Sequence, residues 1–221
     1  MSRGKLEAVI WDMDGVIADT ALYHFQAWQE VFQKRGINFT EEDFKHNFGQ
    51  RNDSIIRYAI GKNVLPGEVD VIANEKEENY RQRVAQNIKS LPGAIELIAS
   101  LKEHGVKMAI ASSAPMENIQ LVTRGLAVDN YFHVIVWGRE VTEGKPSPQA
   151  FLLASKRLEV EPKNCVVIED AVAGVTAAKR AGMKCLAVTN SHPKKSLMEA
   201  DLVVDTLETI SVADLARLFN S

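Results

Sequence analysis

In the stretch "VIWDMDGVIADT" an apolar run breaks into Asp12, Asp14 and Gly15. Side chains two apart on extended backbone point the same way. Asp12 and Asp14 could therefore work on one centre. One would attack phosphorus as a covalent nucleophile while the other hands a proton to the leaving oxygen. Three further apolar stretches carry complementary residues just beyond them. Ser112 and Ser113 follow "VKMAIA", Lys145 lies in "EGKPSP" after "VIVWG", and Glu169 and Asp170 follow "CVVI". Acids gathered in one place repel each other. The usual remedy is a hard cation with oxygen ligands, most often Mg²⁺, which keeps waters and bridges to a substrate phosphate. Lys145 and the hydroxyls of Ser112 and Ser113 would then contact that phosphate, helped by backbone N–H groups at the next helix start.

Such a site needs a scaffold that gathers four distant stretches. From residue 91 onward strand and helix patterns alternate. "AIELIASLKEHG" opens beside Pro92 and Gly93 and closes at Gly105, the usual asymmetry of helix ends. "VKMAIA", "VIVWG", "CVVI", "KCLAVT" and "LVV" read as buried strands between helical segments, and "EAVIWD" adds one more. That alternation predicts a parallel sheet covered on both faces, whose ligands sit at the carboxyl ends of the strands. Residues 20–90 are different. Leu22, Phe25, Trp28 and Phe32 recur at helical spacing, and 69–88 reads as a long, charged, amphipathic helix. The expected fold is α/β: a Rossmann-like parallel sheet core from residues 1–18 and 91–221, with a small α-helical cap inserted at 19–90.

Each feature alone has a plainer reading. Asp12 and Asp14 could be turn residues, Ser112 and Ser113 a helix N-cap, Lys145 a solvated loop residue, and Glu169 and Asp170 acids favoured by a helix dipole. The ordered set at four strand ends favours chemistry. Trp28 reads as cap core, Trp11 as structural, and Thr20, Glu41 and Glu42 as helix-start residues. A net charge of −3 implies no affinity for nucleic acid or anionic membrane. No uninterrupted apolar stretch is long enough to span a bilayer, and the first residues do not read as an export signal, so a cytoplasmic enzyme is expected. Cys165 and Cys185 read as buried hydrophobes.

Taken in order, these stretches resemble the haloacid dehalogenase superfamily in its phosphotransferase branch. "DMDGV" matches the Asp-x-Asp-Gly-[Thr/Val] motif, Ser112 the hydroxyl closing an apolar strand, Lys145 the loop lysine, and "VVIEDAVAG" the acidic pair. The resemblance implies Asp12 as nucleophile and Mg²⁺ ligand, and Asp14 as general acid/base lending its backbone carbonyl to the metal. It implies Asp170 as a further ligand supported by Glu169, with Ser112, Ser113 and Lys145 holding phosphate. The insertion looks like the helical cap of the branch containing beta-phosphoglucomutase and sugar-phosphate phosphatases. That likeness places His24, Arg51 and Lys76 against substrate, with Arg51 where the mutase handles the distal phosphate. One departure concerns the Lys-Asn pair that follows the mutase's second motif, because Pro115 and Met116 stand there instead. The function implied is a monomeric, Mg²⁺-dependent phosphatase for small phosphorylated metabolites, sugar phosphates above all. A phosphohexomutase is the alternative, and a non-catalytic relative that binds a phosphometabolite is the second.

Overall fold

A computed structural model describes residues 4–220. Strand β1 (Ala8–Trp11) is central in a parallel sheet with β2 (Lys107–Ala111), β3 (Val134–Val136), β4 (Cys165–Glu169), β5 (Lys184–Val188) and β6 (Leu202–Val204). The strand order is β3-β2-β1-β4-β5-β6. The chain therefore grows outward from β1 on one side and resumes on the other at β4. The crevice between β1 and β4 is the topological switch point, where ligands of open α/β sheets bind. Register aligns the strand ends: Trp11 pairs with Ile110 of β2 and with Ile168 of β4. Asp12, Ser112 and Glu169 thus leave the sheet along one edge.

The strands are apolar except for Lys107, Lys184 and Glu169 at strand ends, because both faces are covered. Alternate residues divide between two clusters. Val9, Trp11, Ile110 and Ile168 pack with α5 (Ala94–Glu103) and α6 (Met116–Gly125) on one side. Ile10, Ala109, Val167 and Cys185 pack with α7 (Gln149–Leu158) and α8 (Val172–Arg180) on the other. Both cysteines are free and buried, and burial raises the Cys165 thiol to about 12, as expected of small core hydrophobes. The last α-helix among the described residues, α9 (Val212–Arg217), is capped by Ser211 and Asp214.

Between β1 and α5 lie α1 (Ala21–Gln33), α2 (Glu41–Asn47), α3 (Asn52–Ile60) and α4 (Pro66–Val84). They enclose a separate aromatic cluster in which Trp28 stacks on Phe32 at 5.1 Å, and Phe39, Phe44 and Phe48 close the remainder. Trp28 is cap core, as the periodicity indicated. Glu41 and Glu42 sit in the first turn of α2, whose capping box is made by Thr40 and Asp43. Helix α4 begins earlier than 69–88 because Pro66 initiates it, its missing N–H being no loss in a first turn, and it ends at Val84. The chain enters and leaves the insertion side by side: Ala18 forms an antiparallel bridge to Ser90, and Asp19 N–H donates to Lys89 O at 3.0 Å. Among the described residues no helix is long and apolar enough to cross a membrane.

Candidate active site

Asp12 is the first residue past β1, its N–H donating to Ile168 O at 3.0 Å. Lys145 comes from the loop between β3 and α7. Its Nζ donates to Asp12 Oδ1 at 2.5 Å and to Glu169 Oε1 at 2.5 Å, and all three side chains are buried. The other oxygen of Glu169 accepts the N–H groups of Asp170 and Ala171 at 2.9 and 3.0 Å. Glu169 is thereby fixed as a brace between Lys145 and the backbone that carries Asp170. Gly174 permits this, since a Cβ there would fall 1.8 Å from Glu169 Oε1. Gly15, at φ +85, does the same for Asp170, whose Oδ2 would lie 2.0 Å from a Cβ. Ser191, which sequence reasoning did not single out, donates to that same Asp170 oxygen.

One oxygen from each of Asp12, Glu169 and Asp170 falls within a 4.8 Å cluster. Burial, then the charges of Glu169 and Asp14, raise Asp12 to about 7 against the pull of Lys145. Burial, then Glu169 and Asp12, raise Asp170 well above the usual carboxylate range. Lys145 keeps its proton despite burial because Asp12 and Glu169 flank it. Among the described residues a single ammonium, that of Lys145, faces three buried carboxylates, and it bonds to Asp12 and Glu169 but not to Asp170. This donor set, hard oxygens with unbalanced charge, fits a divalent cation.

Asp14 lives in a different environment. Thr20 Oγ1–H donates to its Oδ1 at 2.5 Å, and His24 Nε2 lies 3.1 Å from the same oxygen. Lys76 Nζ reaches His24 Nδ1 at 2.8 Å. An ammonium can only donate, so Nδ1 accepts and Nε2 donates to Asp14. Burial alone would raise Asp14, but His24, Thr20 and Lys76 overcome it and hold this carboxylate below its ordinary range. The His24 ring is stacked on Tyr80 at 3.9 Å. Two acids two residues apart are thus driven in opposite directions by their neighbours.

The remaining predicted residues divide. Ser112 lies at the strand end beside Asp12, and its Oγ accepts Ala114 N–H at 3.1 Å instead of capping α6, which Pro115 precedes. Ser113 Oγ–H donates to Gly49 O of the insertion at 3.0 Å. His24 and Lys76 join Asp12, Asp14 and Ser112 around one cleft of about 40 Å³. Arg51 does not line that cleft. It borders a neighbouring one, where its guanidinium donates to Val141 O and Thr142 O at 2.9 and 3.2 Å and pairs with Asp53. Thr20, read as a helix-start residue, holds that position but spends its hydroxyl on Asp14. Glu77, Asn52 and Asn118 also went unread. Asn52 and Asn118 donate to Glu77 at 2.7 and 2.6 Å. A signal existed for one of these positions: Glu77, beside the predicted Lys76, falls on the α4 stripe of Val69, Ile72, Ala73 and Tyr80, where a helix ordinarily takes apolar residues.

Residues 9–188 match the haloacid dehalogenase-like hydrolase family. The chain is 35% identical over 204 residues to beta-phosphoglucomutase of Bacillus subtilis, covering 90% of this chain and 89% of that protein. It is 33% identical over 208 residues to the phosphorylated carbohydrates phosphatase of Thermotoga maritima, covering 90% and 93%. Its fold superimposes on the crystal structure of beta-phosphoglucomutase from Clostridium difficile with a TM-score of 0.88 at 29% identity over 97% of both chains. With acids, lysine and serine converging at the switch point of a parallel sheet, and with matches of this extent, the chain belongs to the haloacid dehalogenase-like hydrolase family.

Proposed function

We propose that this protein is a Mg²⁺-dependent phosphatase of small phosphorylated sugars, working through a phosphoaspartate. The observation that carries this reading is the convergence of Asp12, Asp14 and Ser112 on one cleft, with Lys145 bonded to Asp12 and Asp170 clustered beside it. Asp12, Asp170 and the backbone carbonyl of Asp14 would hold Mg²⁺, with Glu169 supporting them; when bound, the ion neutralises charge on the phosphate and on the acids around it. Lys145, the Ser112 hydroxyl and the Ser113 backbone N–H orient the phosphate. An Asp12 oxygen bonds to phosphorus as the bond to the sugar oxygen breaks, and Asp14 delivers a proton to that oxygen. Water then attacks the phosphoaspartate, the phosphorus–Asp12 bond breaks, and the water proton passes to Asp14. The net change is ester plus water to alcohol plus phosphate. An Asp14 held ionised by its neighbours suits the second half, and the proton it receives serves the next turnover.

On this reading residues 19–90 act as a cap that opens about the bridge between Ala18 and Ser90, admits substrate and closes over it. The 35% identity to a beta-phosphoglucomutase favours a mutase as second reading. A mutase must seat a bisphosphate in two orientations, and Pro115 and Met116 supply neither the cation nor the amide that would grip it. Phosphate release from a panel of sugar monophosphates, with Mg²⁺ and with EDTA, tests the proposal. Mg²⁺-dependent free phosphate is expected. Conversion of β-glucose 1-phosphate plus a trace of glucose 1,6-bisphosphate to glucose 6-phosphate, with little free phosphate, would replace it with the mutase.

A further inference from the structure

We infer that Glu77, with Asn52 and Asn118, reads the hydroxyls of an uncharged sugar moiety and turns away substrates that carry a second phosphate. The inference rests on the phosphatase reading above and names the substrate class it serves. An ester attacked at Asp12 must extend its alcohol portion away from Lys145 and Ser112, into the space beneath α3 and α4. Glu77, Asn52 and Ser113 border both that cleft and the adjoining one beside Arg51, so the alcohol passes them whichever way it leads.

Glu77 is only 5% exposed. Its Oε1 accepts Asn52 Nδ2 at 2.7 Å and Lys76 Nζ at 2.9 Å, while Oε2 accepts Asn118 Nδ2 at 2.6 Å. Burial alone would raise it, but the Lys76 ammonium and the Asn52 hydrogen bond hold it below the usual range, so it is ionised at neutral pH. A carboxylate accepts about four hydrogen bonds and donates none. Three donors leave acceptor capacity on Oε2, and the amide nitrogens of Asn52 and Asn118 each carry a second N–H. Asn118 belongs to α6 on the sheet side and Glu77 to the insertion, so opening the cap parts them and presents acceptor and amide to a hydroxylated ligand from opposite walls. A site built to hydrogen-bond hydroxyls discriminates strongly against analogues that lack them.

The surrounding charge argues the same way. Lys76 is committed to His24 and Glu77 and sits over the Trp28 and Tyr80 rings at 5.2 and 5.4 Å. Arg51 is committed to Asp53 and to two loop carbonyls. Arg139, exposed at the outer cleft, shares it with Asp53 and Asp70. Beside Glu77 a second phosphate would meet a buried carboxylate whose flanking cation, Lys76, is already engaged, and like charges so placed reject a partner.

The test pairs pentose, hexose and hexitol monophosphates with their terminal bisphosphates, adds n-hexyl phosphate, and measures kcat/KM with Mg²⁺ for the wild type and Glu77→Gln. The best monophosphate should exceed its bisphosphate at least 100-fold and n-hexyl phosphate at least 30-fold in the wild type. Glu77→Gln should narrow the first ratio tenfold or more, chiefly by improving the bisphosphate. A wild type that takes bisphosphates as readily as monophosphates overturns the inference. So does a variant in which both fall together with the ratio within threefold, which is the signature of a purely structural Glu77. The wild-type ratios decide alone if Glu77→Gln does not fold. Phosphate release from none of the esters overturns the phosphatase reading itself, and the inference with it.

Discussion

The strand ends and the helical insertion meet at one cleft but are built on different logic. At the strand ends a side chain's position follows from register. Once Trp11 is paired with Ile110 and Ile168, Asp12, Ser112 and Glu169 have no freedom to be elsewhere. In the insertion the corresponding side chains come from α1, α3 and α4 and are placed by one another: His24 by Lys76 and Tyr80, Lys76 by Glu77, Glu77 by Asn52. On the proposed reading the sheet supplies the reacting groups, while the insertion sets the protonation of Asp14 and the shape of the space above them. The sharpest way to break this division is Asp12→Asn. We expect kcat to fall by about 10⁴-fold or more, as for other covalent nucleophiles. Folding should survive, because the amide removes one of three mutually repelling carboxylates. Near wild-type turnover in a folded variant would overturn the assignment of Asp12.

A second test separates charge balance from chemistry. Lys145→Met leaves Asp12 and Glu169 buried without their shared cation, and losing one partner of a buried ion pair costs about 3–5 kcal/mol. Activity should drop by about 10²–10³-fold as the phosphate loses an electrostatic contact. Adding Glu169→Gln should restore much of the stability and none of the activity. If the double variant is as unstable as the single one, Glu169 contributes as the brace of the Asp170 backbone more than as the partner of Lys145.

The pH dependence of the metal-free protein is the third. Asp12 is raised to about 7 and Asp170 is raised as well, so between the ordinary carboxylate range and pH 7 the folded state binds more protons than the unfolded chain. Stability must then fall as pH rises through that window, at about 1.4 kcal/mol per pH unit for each proton retained. Asp14, held low, contributes the opposite slope, which appears only as pH falls below the ordinary range. In EDTA the melting temperature should decline from pH 5 to 7.5, and Mg²⁺ should raise it more at pH 7.5 than at pH 5. A flat profile in EDTA would mean the three acids are not the repelling group described.

How much of this was legible in the sequence follows the same division. Asp12, Asp14, Ser112, Lys145, Glu169 and Asp170 could be found because each ends or follows a strand, and strands announce themselves as short apolar runs. The six-stranded sheet was readable for that reason. What periodicity could not give was partnership. Glu169 faces Lys145 and backbone N–H groups, and Ser191 reaches Asp170 from beyond β5, contacts that depend on loop paths. In the insertion the obstacle was greater. Glu77 lies in "NEKEENYRQR", where acids and bases surround it and its place on the stripe of Val69, Ile72, Ala73 and Tyr80 is the one sign that sets a buried carboxylate apart from a solvated one.

Arg51 offers the smallest effect and the finest discrimination between the two regions. Resemblance placed it on a distal phosphate, whereas its guanidinium here joins the start of α3 to the carbonyls of Val141 and Thr142, a few residues before Lys145. Its aliphatic stem also packs on Gly144, where an added Cβ would approach Arg51 Cδ to 2.7 Å. These contacts tie the insertion to the loop that carries the phosphate-side lysine. Arg51→Ala should therefore lower kcat/KM only about threefold to tenfold, with a change in stability near 1 kcal/mol, since two charged-donor hydrogen bonds are lost from a partly exposed group. The loss should be the same for every ester tested, because the fault lies in closing the cap and not in reading the alcohol. A loss confined to bisphosphates would return Arg51 to the distal-phosphate role and make the insertion a reader of charge at that end.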